Sequence, residues 1–258
     1  MVKGLDRFKE SFLEENDQYV LIGGVAAMHW LEQASLQARA TKDLDIVLLV
    51  EARRTGFQQK FWDFVQAGGY ENLQKSTGDR IYYRFSHPRE DDYPYMLELF
   101  SRKPDDLDLT GAPEIIPIPG DDDVSSLSAI LMDDAYYRIV RDNVQEDDGL
   151  PMLKPAGLIL LKARAWLDLT ERKERGDKVD STDINKHRTD VFRLSQLLTP
   201  AEPVSVSGSV YADLHRFLAC FPENSPEWPG IAQAIGIKRK GFATDTLMVL
   251  RNGFIASE

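Results

Sequence analysis

Apolar positions change their rhythm along this chain. Up to about residue 150 they come mostly in short dense runs between polar turns, and beyond it they recur at helical spacing. Phe8, Phe12 and Leu13 predict a packed helix over residues 5 to 16. A short apolar strand follows at 19 to 23, then a helix at 25 to 35 that packs through Ala26, Ala27, Trp30 and Leu31. Residues 44 to 50 are apolar throughout except for Asp45, the pattern of a central strand buried on both faces. Phe57, Phe61, Phe64 and Val65 predict an amphipathic helix over 55 to 66, ended by Gly68-Gly69. Residues 80 to 87 and 94 to 101 read as paired strands.

Pro113, Pro117 and Pro119 exclude a helix from the next stretch, where EIIPIPG suits an edge strand. From Ser125 to Asp142 the period of Leu127, Ile130, Leu131, Tyr137 and Ile139 predicts a helix, broken by the acidic loop QEDDG. Pro155 then sits at the first position of a strong helix running through GLILLKARAWLDLT. A further helix is expected at 181 to 198, from a Ser/Thr/Asp cap and carrying Ile184, Val191, Phe192 and Leu194. Residues 201 to 258 predict two or three shorter helices. The fold class is therefore α+β. A small mixed sheet flanked by helices is expected over 1–150 and a helical C-terminal region over 151–258.

Composition narrows the setting. The chain has 258 residues and a hydrophobic fraction of 43%, enough to bury an ordinary core. No apolar run approaches the ~20 residues of a membrane span. The charged start MVKGLDRFKESFLEEN is not a signal peptide pattern. One cysteine, Cys220, leaves no internal disulfide and no zinc cluster. A cytoplasmic location is expected, with no membrane partner. The net charge of −11 argues against stable, nonspecific DNA or RNA coating. Acids dominate from Glu90 to Asp148, with runs at Asp91-Asp92, Asp105-Asp106, Asp121 to Asp123 and Glu146 to Asp148. Between Lys154 and Arg193 bases slightly outnumber acids, with Lys162, Arg164, Arg172, Lys173, Lys186 and Arg188 among them, and a polyanion would dock there first.

Candidate chemistry concentrates between Tyr19 and Val50. Gly23-Gly24 separates a strand from a helix, and such a turn offers backbone N–H groups to an anion. Asp43 and Asp45, two apart on the next strand, share one face while Leu44 and Ile46 point into the core. Paired carboxylates beside a phosphate cradle suit Mg²⁺, a hard cation that takes oxygen ligands. Glu98 is a lone acid among Met96, Leu97, Leu99 and Phe100, expensive to bury unless paired or bound to metal.

The ordered combination of Gly23, Gly24, Arg39, Thr41, Asp43 and Asp45 resembles the nucleotidyltransferase fold, and within it the AbiEii-like group, which includes type IV toxin–antitoxin toxins. That group carries a Gly-Ser or Gly-Gly turn followed by R-x-T-x-D-[IL]-D. The resemblance implies Asp43, Asp45 and Glu98 as metal-binding catalytic acids, with Glu98 either a ligand or a general base. It implies Gly23 and Gly24 beneath a triphosphate, Arg39 on phosphate and Thr41 orienting Asp43. Relatives often have serine at the second glycine, so at Gly24 phosphate binding would rest on backbone alone. Lys162 matches a lysine near the nucleotide, and a cation there would neutralise developing phosphate charge. Lys186, His187 and Asp190 match a later K-H-x-x-D-x-x-[RK]-L motif, with Lys186 and Asp190 four apart on one helix face. The implied activity is Mg²⁺-dependent transfer of a nucleoside monophosphate from an NTP to RNA, particularly tRNA, or to a protein, with a cognate antitoxin as partner. The alternatives are an antibiotic-type small-molecule nucleotidyltransferase and a non-catalytic nucleotide-binding module.

Overall fold

The structure, a computed structural model, describes residues 2–49, 57–71, 83–102, 115–118, 127–199 and 201–257. The chain is α+β with a mixed sheet. It divides into two compact units: Met1–Ala26 with Arg39–Leu153, and Ala27–Ala38 with Lys154–Glu258.

In the first unit, helix α1 (Leu5–Ser11) leads to strand β1 (Tyr19–Ile22), helix α2 (Gly23–Gln33) begins, and strand β2 (Asp43–Leu48) follows. Helix α3 (Phe57–Gly68), strands β3 (Arg84–Ser86), β4 (Met96–Ser101), β5 (Ile115–Ile118) and β6 (Leu127–Leu131), helix α4 (Asp134–Asp142) and strands β7 (Val144–Asp147) and β8 (Leu150–Leu153) complete it. Among the described residues the sheet has eight strands, ordered β5-β6-β4-β2-β1-β8-β7 with β3 also on β4, and is larger than the pattern predicts. β2 and β4 are parallel at its centre, and β1 runs antiparallel to β2. β4 shares its other edge between β3, beside Met96 to Glu98, and β6, beside Phe100 and Ser101.

Alternation explains why these strands sit centrally. Leu44, Ile46, Leu97 and Leu99 are fully buried, while Asp43, Asp45 and Glu98 are only partly buried. An aromatic cluster fills one side of the core. Phe8 stacks on Phe12 with ring centroids 4.6 Å apart, and Tyr19, Phe61 and Phe64 meet them at 5.4 to 6.2 Å. Such rings combine large buried area with favourable edge-to-face geometry.

Two expectations need correction. Leu127–Leu131 is a strand, and the helix starts only at Asp134, where the Asp133 side chain accepts from the Ala135 N–H. Short apolar runs carry little to separate strand from buried helix, and here the unpaired end of β4 claims the segment. The acidic segment QEDDG is a hairpin tip rather than a loop that only ends a helix. β7 and β8 pair across Asp148-Gly149, both with positive φ, 48° and 68°. Asp-Gly is the turn that this left-handed pair demands. The edge strand through Pro117 is present, at the border of the sheet. The expected starts at residues 55–56 and 80–82, Asp105-Asp106, Asp121 to Asp123, Pro113 and Pro119 lie outside the described residues.

In the second unit, helices α5 (Pro155–Glu174), α6 (Ser181–Leu194), α7 (Gly208–Ala219), α8 (Trp228–Ala234) and α9 (Phe242–Asn252) pack around Trp166, Phe192, Phe217, Phe221 and Trp228. α6 is capped by Asp180, whose carboxylate accepts from the Thr182 N–H and is thereby held below its ordinary range of ionisation. Strands β9 (Val204–Val206) and β10 (Phe254–Ala256) form a small parallel pair that the helical rhythm hides.

Candidate active site

The acidic face is a consequence of register. In the parallel β2–β4 ladder Asp45 stands opposite Glu98, and Asp43 stands one pleat away opposite Met96. Partners in a ladder point to the same side of a sheet, so the three acids share one face. Ile22 flanks Asp45 from β1, and Arg84 flanks Glu98 from β3. Across four strands the row reads Arg84, Glu98, Asp45, Ile22. Asp43 makes no hydrogen bond or ion pair among the described residues.

The turn after β1 is built against these acids. Gly23 opens α2 with φ +66°, a conformation that side chains penalise. A Cβ at Gly23 would meet the Asp45 carboxylate, and one at Gly24 would meet the Thr41 hydroxyl at 2.5 Å. The two glycines therefore hold the helix start tightly against Asp45 and Thr41. The first-turn N–H groups of α2 have no acceptors within the helix and carry its positive dipole end. Arg39 turns one guanidinium N–H onto the Ala40 carbonyl at 3.2 Å.

Glu98 has a partner that the motif does not contain. Arg84 donates from Nε to Glu98 Oε1 at 2.6 Å and also from Nη2 to the same oxygen. The sequence signal for this contact is weak. It emerges only once residues 84–86 are laid antiparallel on 96–98.

Carboxylate oxygens beside a glycine cradle fit a hard divalent cation, which needs one or two carboxylates together with phosphate and water. Asp43 and Asp45 meet that demand. Among the described residues no three His, Cys, Asp or Glu side chains converge as a metal group.

The remaining predicted residues lie in the second unit. Lys162 of α5 donates to Asp190 of α6 at 2.9 Å, and Arg193 donates to the other Asp190 oxygen at 2.6 Å and to the Ala234 carbonyl at 3.0 Å. All three side chains are buried. Arg193 holds the [RK] position of the K-H-x-x-D-x-x-[RK]-L run, and the sequence reading left it without a role. Lys186 does not pair with Asp190. It reaches Asp183 at 2.7 Å on the exposed side of α6. The other basic residues expected to attract a polyanion are engaged too: Arg164 with Asp213, Arg172 with Asp168 and Asp177, Lys173 with Ser181 and Arg188 with Glu227.

No protein-family model matches the chain, and no curated protein matches it. Function must therefore be argued from these residues. No helix among the described residues is long and apolar enough to cross a membrane.

Proposed function

We propose that the protein is a Mg²⁺-dependent nucleotidyltransferase that moves a nucleoside monophosphate from an NTP to an acceptor hydroxyl and releases pyrophosphate. The observation that carries this reading is the contact between the glycine turn and the D-x-D strand. Gly23 brings the start of α2 against Asp45, so a helix N-terminus, which suits an anion, and a pair of carboxylates share one small region. Phosphoryl chemistry asks little covalent work of a protein beyond such positioning. The resemblance of the Gly23 to Asp45 run to AbiEii-like proteins supports the same reading.

Asp43 and Asp45 would hold the metal ion, which supplies Lewis-acid polarisation of the phosphoryl oxygens when bound. The Gly23 and Gly24 backbone would bind phosphate oxygens, and Arg39 would add charge. Glu98 would serve the same face as a third carboxylate. The resemblance alone assigns Lys162 to the nucleotide; in its own unit Lys162 is buried and paired with Asp190.

RNA, particularly tRNA, or a protein is the proposed acceptor, with a cognate antitoxin as partner. A small cationic acceptor, as in antibiotic modification, is the second reading. It is favoured by the net charge of −11 and by the engagement of Lys162, Arg164, Arg172, Lys173, Lys186 and Arg188 with their own neighbours. Incubation with Mg²⁺ and each α-labelled NTP, with total tRNA or with aminoglycosides, tests both. Label entering RNA, and absent with Asp43→Ala/Asp45→Ala, is the expected result. Label on the drug selects the second reading. NTP binding without transfer to either acceptor contradicts the tRNA and small-molecule readings and leaves a protein acceptor or a binding module.

A further inference from the structure

We propose that Arg84 is a positioning residue that competes with a divalent cation for Glu98, so that free metal binds the acidic face weakly. The proposal rests on reading that face as a metal site, and the experiment below separates the two.

The argument begins with where Arg84 stands. Strand β3 pairs antiparallel with β4 and places Arg84 directly across from Glu98, which stands directly across from Asp45. Two N–H groups of the guanidinium converge on one oxygen, Glu98 Oε1. Glu98 makes no other hydrogen bond or ion pair among the described residues. Its side chain is only 12% exposed, whereas that of Arg84 is 46% exposed. A nearly buried carboxylate thus has its charge balanced by a cation that solvent can reach.

That arrangement sets up an exchange. A divalent ion drawn to Asp43 and Asp45 would approach a face already holding one positive charge. If the ion also takes Glu98, Arg84 must give up its hydrogen bonds, because both cations seek the same oxygens. Arg84 therefore opposes a free ion that takes Glu98. A metal–NTP complex differs, because its phosphates carry negative charge that a released arginine can pair with. Arg84 would thereby favour entry of metal together with nucleotide over metal alone. Replacing Arg84 leaves Glu98, 12% exposed, without its cation, so urea unfolding of each Arg84 variant accompanies the binding measurement.

The test uses the full chain and Mn²⁺ alone, followed by electron paramagnetic resonance, with no nucleotide and no turnover. Asp43→Ala/Asp45→Ala locates the ion, and loss of binding in it is expected. Arg84→Gln is expected to tighten Mn²⁺ binding about two- to fivefold, the range open to a part-exposed charge pair. Arg84→Lys should stay near the parent protein. In a Glu98→Gln background the Arg84→Gln change should have no further effect, because the contested carboxylate is gone. Equal affinity in the parent and Arg84→Gln proteins overturns the proposal while leaving the metal site standing. Tightening that persists in the Glu98→Gln background also overturns it, since it then reflects a diffuse field. Absence of Mn²⁺ binding in every protein, or binding that ignores the Asp43/Asp45 change, defeats the metal-site reading and the proposal with it.

Discussion

A Cβ atom at Gly23 would lie 1.8 Å from Asp45 Oδ2. The residue that begins α2 and the second carboxylate of the D-x-D strand are therefore fitted to each other, with no room for even one carbon between them. Gly23 also has φ +66°, where an alanine costs ~1–2 kcal/mol from backbone sterics alone. Gly23→Ala is expected to lower stability by at least that amount in urea unfolding. It is also expected to weaken Mg²⁺-dependent NTP binding tenfold or more, because Asp45 must move. Unchanged NTP affinity in a folded Gly23→Ala protein would show that Asp45 is not part of the nucleotide site.

Gly24 and Thr41 form a second fitted pair, with the Thr41 hydroxyl 2.5 Å from where a Gly24 side chain would begin. Gly24→Ser alone should destabilise the protein. Gly24→Ser combined with Thr41→Ala should be more stable than the sum of the single changes, since the second change removes the obstructing oxygen. A double-mutant cycle measures this, with coupling of about 0.5–3 kcal/mol expected for residues in contact. Strict additivity would mean that the turn relaxes freely.

Asp190 links Lys162 to Arg193, and all three are buried. Removing it leaves two cations in the interior of the helical unit. Asp190→Ala should therefore cost about 3–5 kcal/mol in urea unfolding. Lys162→Met should cost clearly less, since the Arg193–Asp190 pair survives and the replacement is apolar and of similar length. If Lys162 acts on the nucleotide, the Lys162→Met protein will be folded but slow in transfer. Equal destabilisation by the two changes would contradict the account of the cluster.

Two phenols give the fold an alkaline limit. Burial, then the charges of Glu15 and Glu146, pushes the Tyr19 phenol well above its ordinary value near 10. Burial, then Tyr93, does the same to Tyr70, whose hydroxyl donates to the Pro94 carbonyl at 2.6 Å. Both stay protonated in the fold at a pH where the unfolded chain ionises. Their contribution is complete below about pH 10 and is lost as the pH rises above it. Urea midpoints should fall above pH 10, and less steeply in Tyr19→Phe and Tyr70→Phe. The Tyr19 hydroxyl is buried with no hydrogen-bond partner among the described residues, so Tyr19→Phe should be neutral or stabilising at pH 7.

What the sequence made legible follows from local physics. The central strands were readable because Leu44, Ile46, Leu97 and Leu99 alternate with acids that cannot be buried cheaply. The start of α5 was readable because Pro155 fits a first helical turn. The strand at Leu127–Leu131 was not, because its identity is decided by an unpaired edge far away in sequence. The Asp148-Gly149 hairpin carried a local signal that its acidic setting obscured. In the candidate site, Asp43, Asp45 and the glycines stand within one short run. Arg84 came to light only with the β3–β4 register, and Arg193 only with its buried contacts to Asp190 and the Ala234 carbonyl. Lys186 shows the limit of spacing arguments. It sits four residues before Asp190, yet Asp183 takes its charge while Asp190 serves Lys162 and Arg193.

The most direct test of the central claim is calorimetric titration of the protein with each NTP, with and without Mg²⁺, beside Asp43→Asn/Asp45→Asn. The account predicts binding that needs Mg²⁺ and weakens at least tenfold when the two carboxylates become amides. Binding that ignores both the metal and the substitutions, or no binding of any NTP, would contradict a metal-assisted nucleotide site at Gly23, Asp43 and Asp45.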